Sequence, residues 1–361
     1  MTTQTMNRTL ARLRRPRRVY LGRRGWNAGL VALIIVVGAW ATQASPGFLS
    51  VNQLLSAAQA SIVSAFLALG LTLVVVVGEI DISLTSIVGL VTVVIGLMAS
   101  HGYPAVAIII ASLIAATALG TLNGLLVARF GMPSLAVTLG TSGAFQGAAY
   151  LLGGNKSFTT FPSSVVNLGN GYVGRIPVAV VIFAALAVLL AALLAFTTIG
   201  RSMYAVGRAP EAVRHNGASV TLTKVIAFAI GGFCTGIGAL VFVGYYNSAG
   251  GSSASGTILF VVTAVALGGL DIYGGSGRIS GVVLALILLV ALQNGMSLVN
   301  VSTTVQTIVI GCLLILSLAV SQLAGSRVFL ARLTRRSPTG QRPPANLSGA
   351  ATQQSHSSVT Q

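Results

Sequence analysis

The chain has 361 residues, of which 54% are hydrophobic and only 7% charged, with a mean hydropathy of +0.90. A soluble domain usually carries about 25% charged residues, so a soluble globular fold is excluded, and the continuous rather than alternating apolar runs exclude a membrane β-barrel. The net charge of +17 gathers in the two tails and one internal loop, as expected for basic cytoplasmic segments of a membrane protein and not for a nucleic-acid footprint.

Residues 1–24 hold eight arginines and no acid, a basic arm suited to the cytoplasmic leaflet. The apolar stretch after it ends near Ala39-Trp40-Ala41, which mimics a signal-cleavage pattern. Further apolar runs follow, so it reads as an uncleaved first span. Spans are expected over 26–43, 57–77, 83–100, 104–127, 133–152, 176–197, 223–245, 255–270, 279–298 and 303–323. The eighth is short and glycine-flanked, which suits a partly re-entrant segment. Residues 324–361 are rich in Arg, Ser, Thr, Pro and Gln and read as a disordered cytoplasmic tail. The organisation is thus an all-α polytopic protein of about ten transmembrane helices. The basic arm covers 1–24, the membrane domain 25–323 and the tail 324–361.

Ten spans put both termini on one side. Threading from a cytoplasmic arm leaves nineteen of the 21 basic residues inside and only Lys156 and Arg175 outside. That sorting favours cytoplasmic N- and C-termini. The longest outside loop covers 153–175 and the longest inside loop 198–224.

Half of the four acidic residues stand in one apolar region, Gly78-Glu79-Ile80-Asp81-Ile82-Ser83. A charge at bilayer depth costs roughly 2.5–3.5 kcal/mol on insertion scales. Gly78 offers a helix break, and Ser83 is a candidate cap for the next span. Glu79 and Asp81 then either cap a helix at the inner boundary or line a solute or proton path. A weak echo, Gly268-Gly269-Leu270-Asp271-Ile272-Tyr273, suggests a duplicated helix–break–helix unit. Asn123, Gln146, Gln293 and Asn294 lie within spans and serve either as interhelical ties or as contacts for a polyhydroxylated solute. Cys234 and Cys312 fit as small packing residues.

In the inside loop, Gly200-Arg201 precedes a short helical stretch, Pro210-Glu211-Ala212-Val213-Arg214-His215. Pro210 and Glu211 suit its start, and Gly217 stops it. It is either an ordinary charged connector or a lever for a soluble partner. No P-loop, catalytic triad or metal cluster occurs, so no enzyme activity, metal or other cofactor is expected of the chain. The alternative function is an ion-coupled secondary transporter using Glu79 and Asp81.

Four stretches in order resemble the permeases of bacterial ABC importers for ribose, xylose, arabinose and galactosides. They are residues 78–83; Leu122-Asn123-Gly124-Leu125-Leu126 with Pro133 and Thr138-Leu139-Gly140-Thr141; Gly200-Arg201 through Gly207 to Gly217; and Gly268-Gly269, Gly274-Gly275 and Gly277 with Asn294-Gly295. The resemblance covers about residues 50–323. Glu79 stands where a glycine is usual, Ala209 for an asparagine, and Val213 for an alanine. Ile258 and Phe260 stand where the family often carries acids. The resemblance implies an importer permease for a monosaccharide or sugar-like solute, multi-pass in the bacterial cytoplasmic membrane. It implies three partners besides lipid: a cytoplasmic ATP-binding subunit, an extracytoplasmic binding protein, and a second, like or unlike, permease. It also implies that the segment carrying Gly200, Arg201, Gly207, Pro210, Glu211, Ala212, Arg214 and Gly217 couples to the ATPase.

Overall fold

The computed structural model describes residues 23–334. The basic arm through residue 22 and the tail from residue 335 lie outside them. Each of the ten expected spans falls on a helix: α1 (Arg23–Ala44), α2 (Val51–Val76), α3 (Leu84–Ser100), α4 (Ala105–Phe130), α5 (Ser134–Gly153), α7 (Val178–Phe196), α10 (Val220–Tyr246), α11 (Ile258–Leu267), α12 (Ile279–Leu298) and α13 (Thr303–Thr334). The short helices α6 (Ser163–Asn170), α8 (Thr198–Arg208) and α9 (Pro210–His215) occupy the two longest loops. Helix α13 runs eleven residues past the expected end of the last span, into the segment expected to be tail.

By length and composition, seven helices among the described residues are able to cross a membrane: α1, α2, α4, α7, α10, α12 and the 303–320 part of α13. This is a multi-pass, all-α membrane protein. Helix α3 has 17 residues and α11 only 10. At 1.5 Å per residue α11 spans ~15 Å, about half a bilayer core. It is short, as the sequence reading of the eighth span has it.

Helix α2 forms the centre. In its most apolar window 89% of the residues are buried, against 22% for α4 and 28% for α7. A helix apolar on every side needs protein around it, and α10, α11, α12 and α7 provide that. Phe66 of α2 meets Phe183 of α7 edge-on, with ring centroids 5.7 Å apart.

The most extensive helix contact is that of α4 with α10. Gly120 and Gly124 of α4 face Phe228 and Gly232 of α10, and Gly236 faces Ala116. A Cβ on Gly120 would lie 2.5 Å from Phe228 O. Lipid gives helices no hydrophobic drive to associate, so close backbone approach through small residues provides the attraction.

One element departs from all-α. Tyr172–Val173 pairs antiparallel with Ile176–Pro177, Tyr172 opposite Pro177 and Val173 opposite Ile176. A bridge between Phe158 and Ala249 ties this loop to the 247–257 loop at the same end of the bundle.

Candidate functional site

The main chain turns at Gly78. Its φ of +85° is open to glycine at little cost. The N–H of Glu79 donates to Val74 O (3.1 Å) and that of Gly78 to Val75 O (2.9 Å), closing α2 in a Schellman motif. Both expected acids follow at once, and they part company. Glu79 pairs with Lys224 near the start of α10, and the two side chains are only 13% and 20% exposed. Asp81 is buried, 1% exposed. Its Oδ1 accepts from the N–H of Ser83 (2.9 Å) and from Ser83 Oγ (2.6 Å).

The expected cap is therefore reversed. Ser83 does not cap α3: its backbone is already helical, with φ −77° and ψ −9°, and its side chain makes no capping bond. Instead its hydroxyl donates back to Asp81 and accepts from Asn123 Nδ2 at 2.7 Å. Asp81 takes the orphan donor at the start of α3. Asp81 Oδ2 and Asn123 Oδ1 are buried without a hydrogen-bond partner among the described residues.

Helix α5 clasps the same break from the other side. Ser134 Oγ accepts from the N–H of Ile80 (3.2 Å), and Thr138 Oγ1 donates to Ile80 O (3.3 Å). Ser86 of α3 and Ser142 of α5 are bonded at 2.7 Å.

The echo segment lies against this break. Between α11 and α12, Asp271 Oδ1 accepts from the N–H of Tyr273 at 3.1 Å, the same two-residue turn that Asp81 makes with Ser83. Gly275 N–H donates to Val76 O at 2.8 Å, and a Cβ on Gly274 would lie 2.5 Å from Gly78 Cα. Two helix–break–helix units meet back to back.

Helix α8 closes the junction. It buries Gly200, Met203 and Val206. Gly207 sits against Val76 O and Gly275 N so closely that any Cβ would collide with both. Arg208 Nε donates to Gly275 O (2.7 Å) and Tyr204 OH to Gly277 O (2.9 Å). The expected short helix is present as α9, which also closes in a Schellman motif at Gly217 (φ +78°), Gly217 N–H to Arg214 O (3.1 Å) and Ala218 N–H to Val213 O (3.2 Å). Only Val213 of α9 is buried. Glu211 and Arg214 form a solvent-exposed pair at 3.6 Å. Arg201, Glu211, Ala212 and Arg214 are exposed, and Pro210 is half-buried.

The structure thus brings Gly78, Asp81, Ser83, Asn123, Gly207 and Gly274–Gly275 into one junction. Gln146 and Asn294 lie elsewhere. Gln146 Nε2 donates to Gly251 O, and Asn294 Oδ1 accepts from Gln53 Nε2 at 2.8 Å. Both act as ties between segments. Sequence reasoning missed Lys224 as the partner of Glu79, since 145 residues separate them. It also missed a cavity of about 510 Å³ at the opposite end of α12. Ser61, Ser64, Ser248, Ser252, Gln293 and Thr307 are among its walls. The signal was the run Ser248-Ala249-Gly250-Gly251-Ser252-Ser253-Ala254-Ser255, legible only as a loop.

Comparison with known proteins fits this architecture. A family model described as the permease component of a branched-chain amino acid transport system matches residues 53–318. The autoinducer 2 import system permease protein LsrD of Photorhabdus laumondii is 32% identical over 301 residues, 82% of this chain and 90% of that protein. The LsrD proteins of Yersinia enterocolitica (32% over 300 residues, 81% of this chain and 91% of that protein) and Escherichia coli K12 (31% over 299 residues, again 81% and 91%) are similar to it at the same level. No solved structure matches the chain significantly. Importers with permeases of this kind generally include an ATPase and a solute-binding partner, and nothing in the comparisons supports the ion-coupled alternative. With the family model covering most of the chain and relatives about 32% identical over most of its length, the chain belongs to this permease family and is the membrane permease subunit of a sugar-type ATP-binding-cassette importer.

Proposed function

We propose that this permease carries a monosaccharide or a similar small polar solute into the bacterial cytoplasm, with α9 as the lever that a separate ATPase subunit moves. The observation that carries the reading is the position of Gly207, packed against both helix breaks at once. A push on α9 reaches α8 through a single connecting residue, Ala209. From α8 it reaches the ends of α2 and α11 and the starts of α3 and α12. These are the points where each unit is hinged. In this reading both termini and α9 face the cytoplasm, where Arg129, Arg201, Arg208, Arg214, Lys224 and Arg278 follow the positive-inside bias.

The hydroxyl-rich cavity at the opposite end of α12 suits the receiving side. Its volume lies within the usual range for small-molecule sites, roughly 300–1,000 Å³, and serine and threonine hydroxyls both donate to and accept from a sugar. The neighbouring 153–175 loop, with α6 and the hairpin, is the docking surface for the binding protein. A second permease, identical or related, completes the path. ATP is hydrolysed by the partner, and this chain carries no catalytic group. The names of the LsrD relatives make autoinducer 2 one candidate solute beside the monosaccharides.

The test is reconstitution in proteoliposomes with the cognate ATPase and binding protein. Uptake of one member of a sugar and autoinducer 2 panel is expected only with ATP and all components present. Uptake driven by an ion gradient without the ATPase would overturn the reading.

A further inference from the structure

A second cavity, about 930 Å³ in volume, lies where α7 ends and α12 begins. Leu194, Arg201, Tyr204, Arg208, Arg278 and Ser280 are among its walls. Three arginines therefore line one space, and no carboxylate lines it. The chain has only four acids to offer. Glu79 is paired with Lys224, Asp81 is buried in its turn, and Glu211 faces Arg214. Asp271 stands in the adjoining loop, with Oδ1 on Tyr273 N–H.

The arginines retain donors to spare. Arg208 uses Nε on Gly275 O, and Arg201 uses Nη1 on Phe196 O at 3.4 Å. A guanidinium has five N–H donors, so each keeps several. Arg278 is exposed at the N-cap of α12, and no side chain caps that helix. The positive end of a 20-residue helix adds to the three charges.

The α9 side of the wall carries Val213 and Asn216, and the α7 side is apolar. Ala191, Leu194 and Ala195 belong to α7. That helix is long and apolar enough to cross the bilayer, and it leaves Val188, Leu189 and Phe196 at 70%, 62% and 81% exposure. A cationic rim at the end of a lipid-facing apolar wall fits an amphipathic anion. We propose that this cavity binds the phosphate headgroup of an anionic phospholipid, whose acyl chains lie along α7. An acidic protein segment would match the arginines but not the apolar wall that continues onto the exposed face of α7. The inference rests on α7 spanning the membrane and not on the coupling role of α9.

Native mass spectrometry of the full-length permease in micelles doped with phosphatidylglycerol or phosphatidylcholine tests it. The wild type is expected to retain one more phosphatidylglycerol than phosphatidylcholine. The double variant Arg201→Gln, Arg278→Gln should lose that lipid, at about fivefold in affinity per arginine. Arg129→Gln, an exposed cation outside the cavity, should keep it. Should the double variant fail to fold, Arg278→Gln alone carries the test. Equal phosphatidylglycerol retention by all variants overturns the proposal. So does displacement of the lipid by inorganic phosphate, which would mark a soluble-anion site. A double variant that keeps its lipid but no longer co-purifies with the ATPase also overturns it, because the arginines would then serve a protein interface. None of these readouts measures transport, so the importer reading stands or falls separately.

Discussion

Helix α8 buries Gly200, Met203 and Val206 and sends two hydrogen bonds into the loop before α12, whereas α9 buries only Val213 and keeps its ion pair in solvent. The two helices are neighbours in one segment of the chain and serve different physical ends. The first is held by close backbone approach, which tolerates almost no added volume. The second is closed at its C-terminus by the Gly217 turn and leaves its side chains available to a partner. The coupling role proposed for this segment would draw on both properties, a surface to receive a push and a stiff joint to pass it on.

Changes at four places break or sharpen this contrast. The largest effect is expected from Gly207→Ala, whose Cβ would meet backbone atoms of Val76 and Gly275. Overpacking of this kind costs roughly 1–3 kcal/mol. Thermal unfolding of the purified permease should show a lowered midpoint, with uptake lost as well; a variant with wild-type stability would show that the joint is loose.

Next is Asp81→Ala, which strips the buried Ser83 N–H and hydroxyl of their shared acceptor. Leaving such groups unpaired costs about 1–3 kcal/mol. Asp81→Asn retains the Oδ1 acceptor and replaces the unpartnered Oδ2 with a donor, so it should lose less than about 1 kcal/mol. Equal damage from both, read by the same unfolding assay, would mean that the charge itself matters. Glu79→Gln should cost about 1 kcal/mol, between exposed and buried ion pairs. A double-mutant cycle with Lys224→Gln is expected to return a coupling of similar size, and additive effects would refute the pairing.

The smallest effect on stability belongs to the α9 surface. Glu211→Gln with Arg214→Gln should change stability by no more than about 0.5 kcal/mol, because the pair is exposed. Its expected effect is on coupling: ATP hydrolysis by the assembled complex continues while uptake falls. Normal uptake would remove α9 from the mechanism.

The helices were legible in the sequence because hydropathy is a local property. Each expected span overlaps a helix, and Gly78 and Gly217 end theirs where glycine permits positive φ. Asp81 and Asp271, the acids of the weak echo, each accept from the N–H two residues further on. Ser83 was misread because capping depends on the backbone angles of the cap residue, and Ser83 is already helical. The glycines of α4 and α10 went unread, although Gly120 with Gly124 and Gly232 with Gly236 repeat at four-residue spacing.

The sequence by itself determined a polytopic helical membrane protein, two interrupted helix pairs, and a short capped helix between α8 and α10. Those follow from apolar run length, glycine and the distribution of 25 charged residues, 21 basic and four acidic. Only the tertiary structure decided that Glu79 belongs to Lys224, that Ser83 accepts from Asn123, and that Gly207 joins both breaks. These partners lie 40 to 145 residues apart or meet through backbone atoms. Such pairings depend on how helices cross, and no local pattern of residues records a crossing.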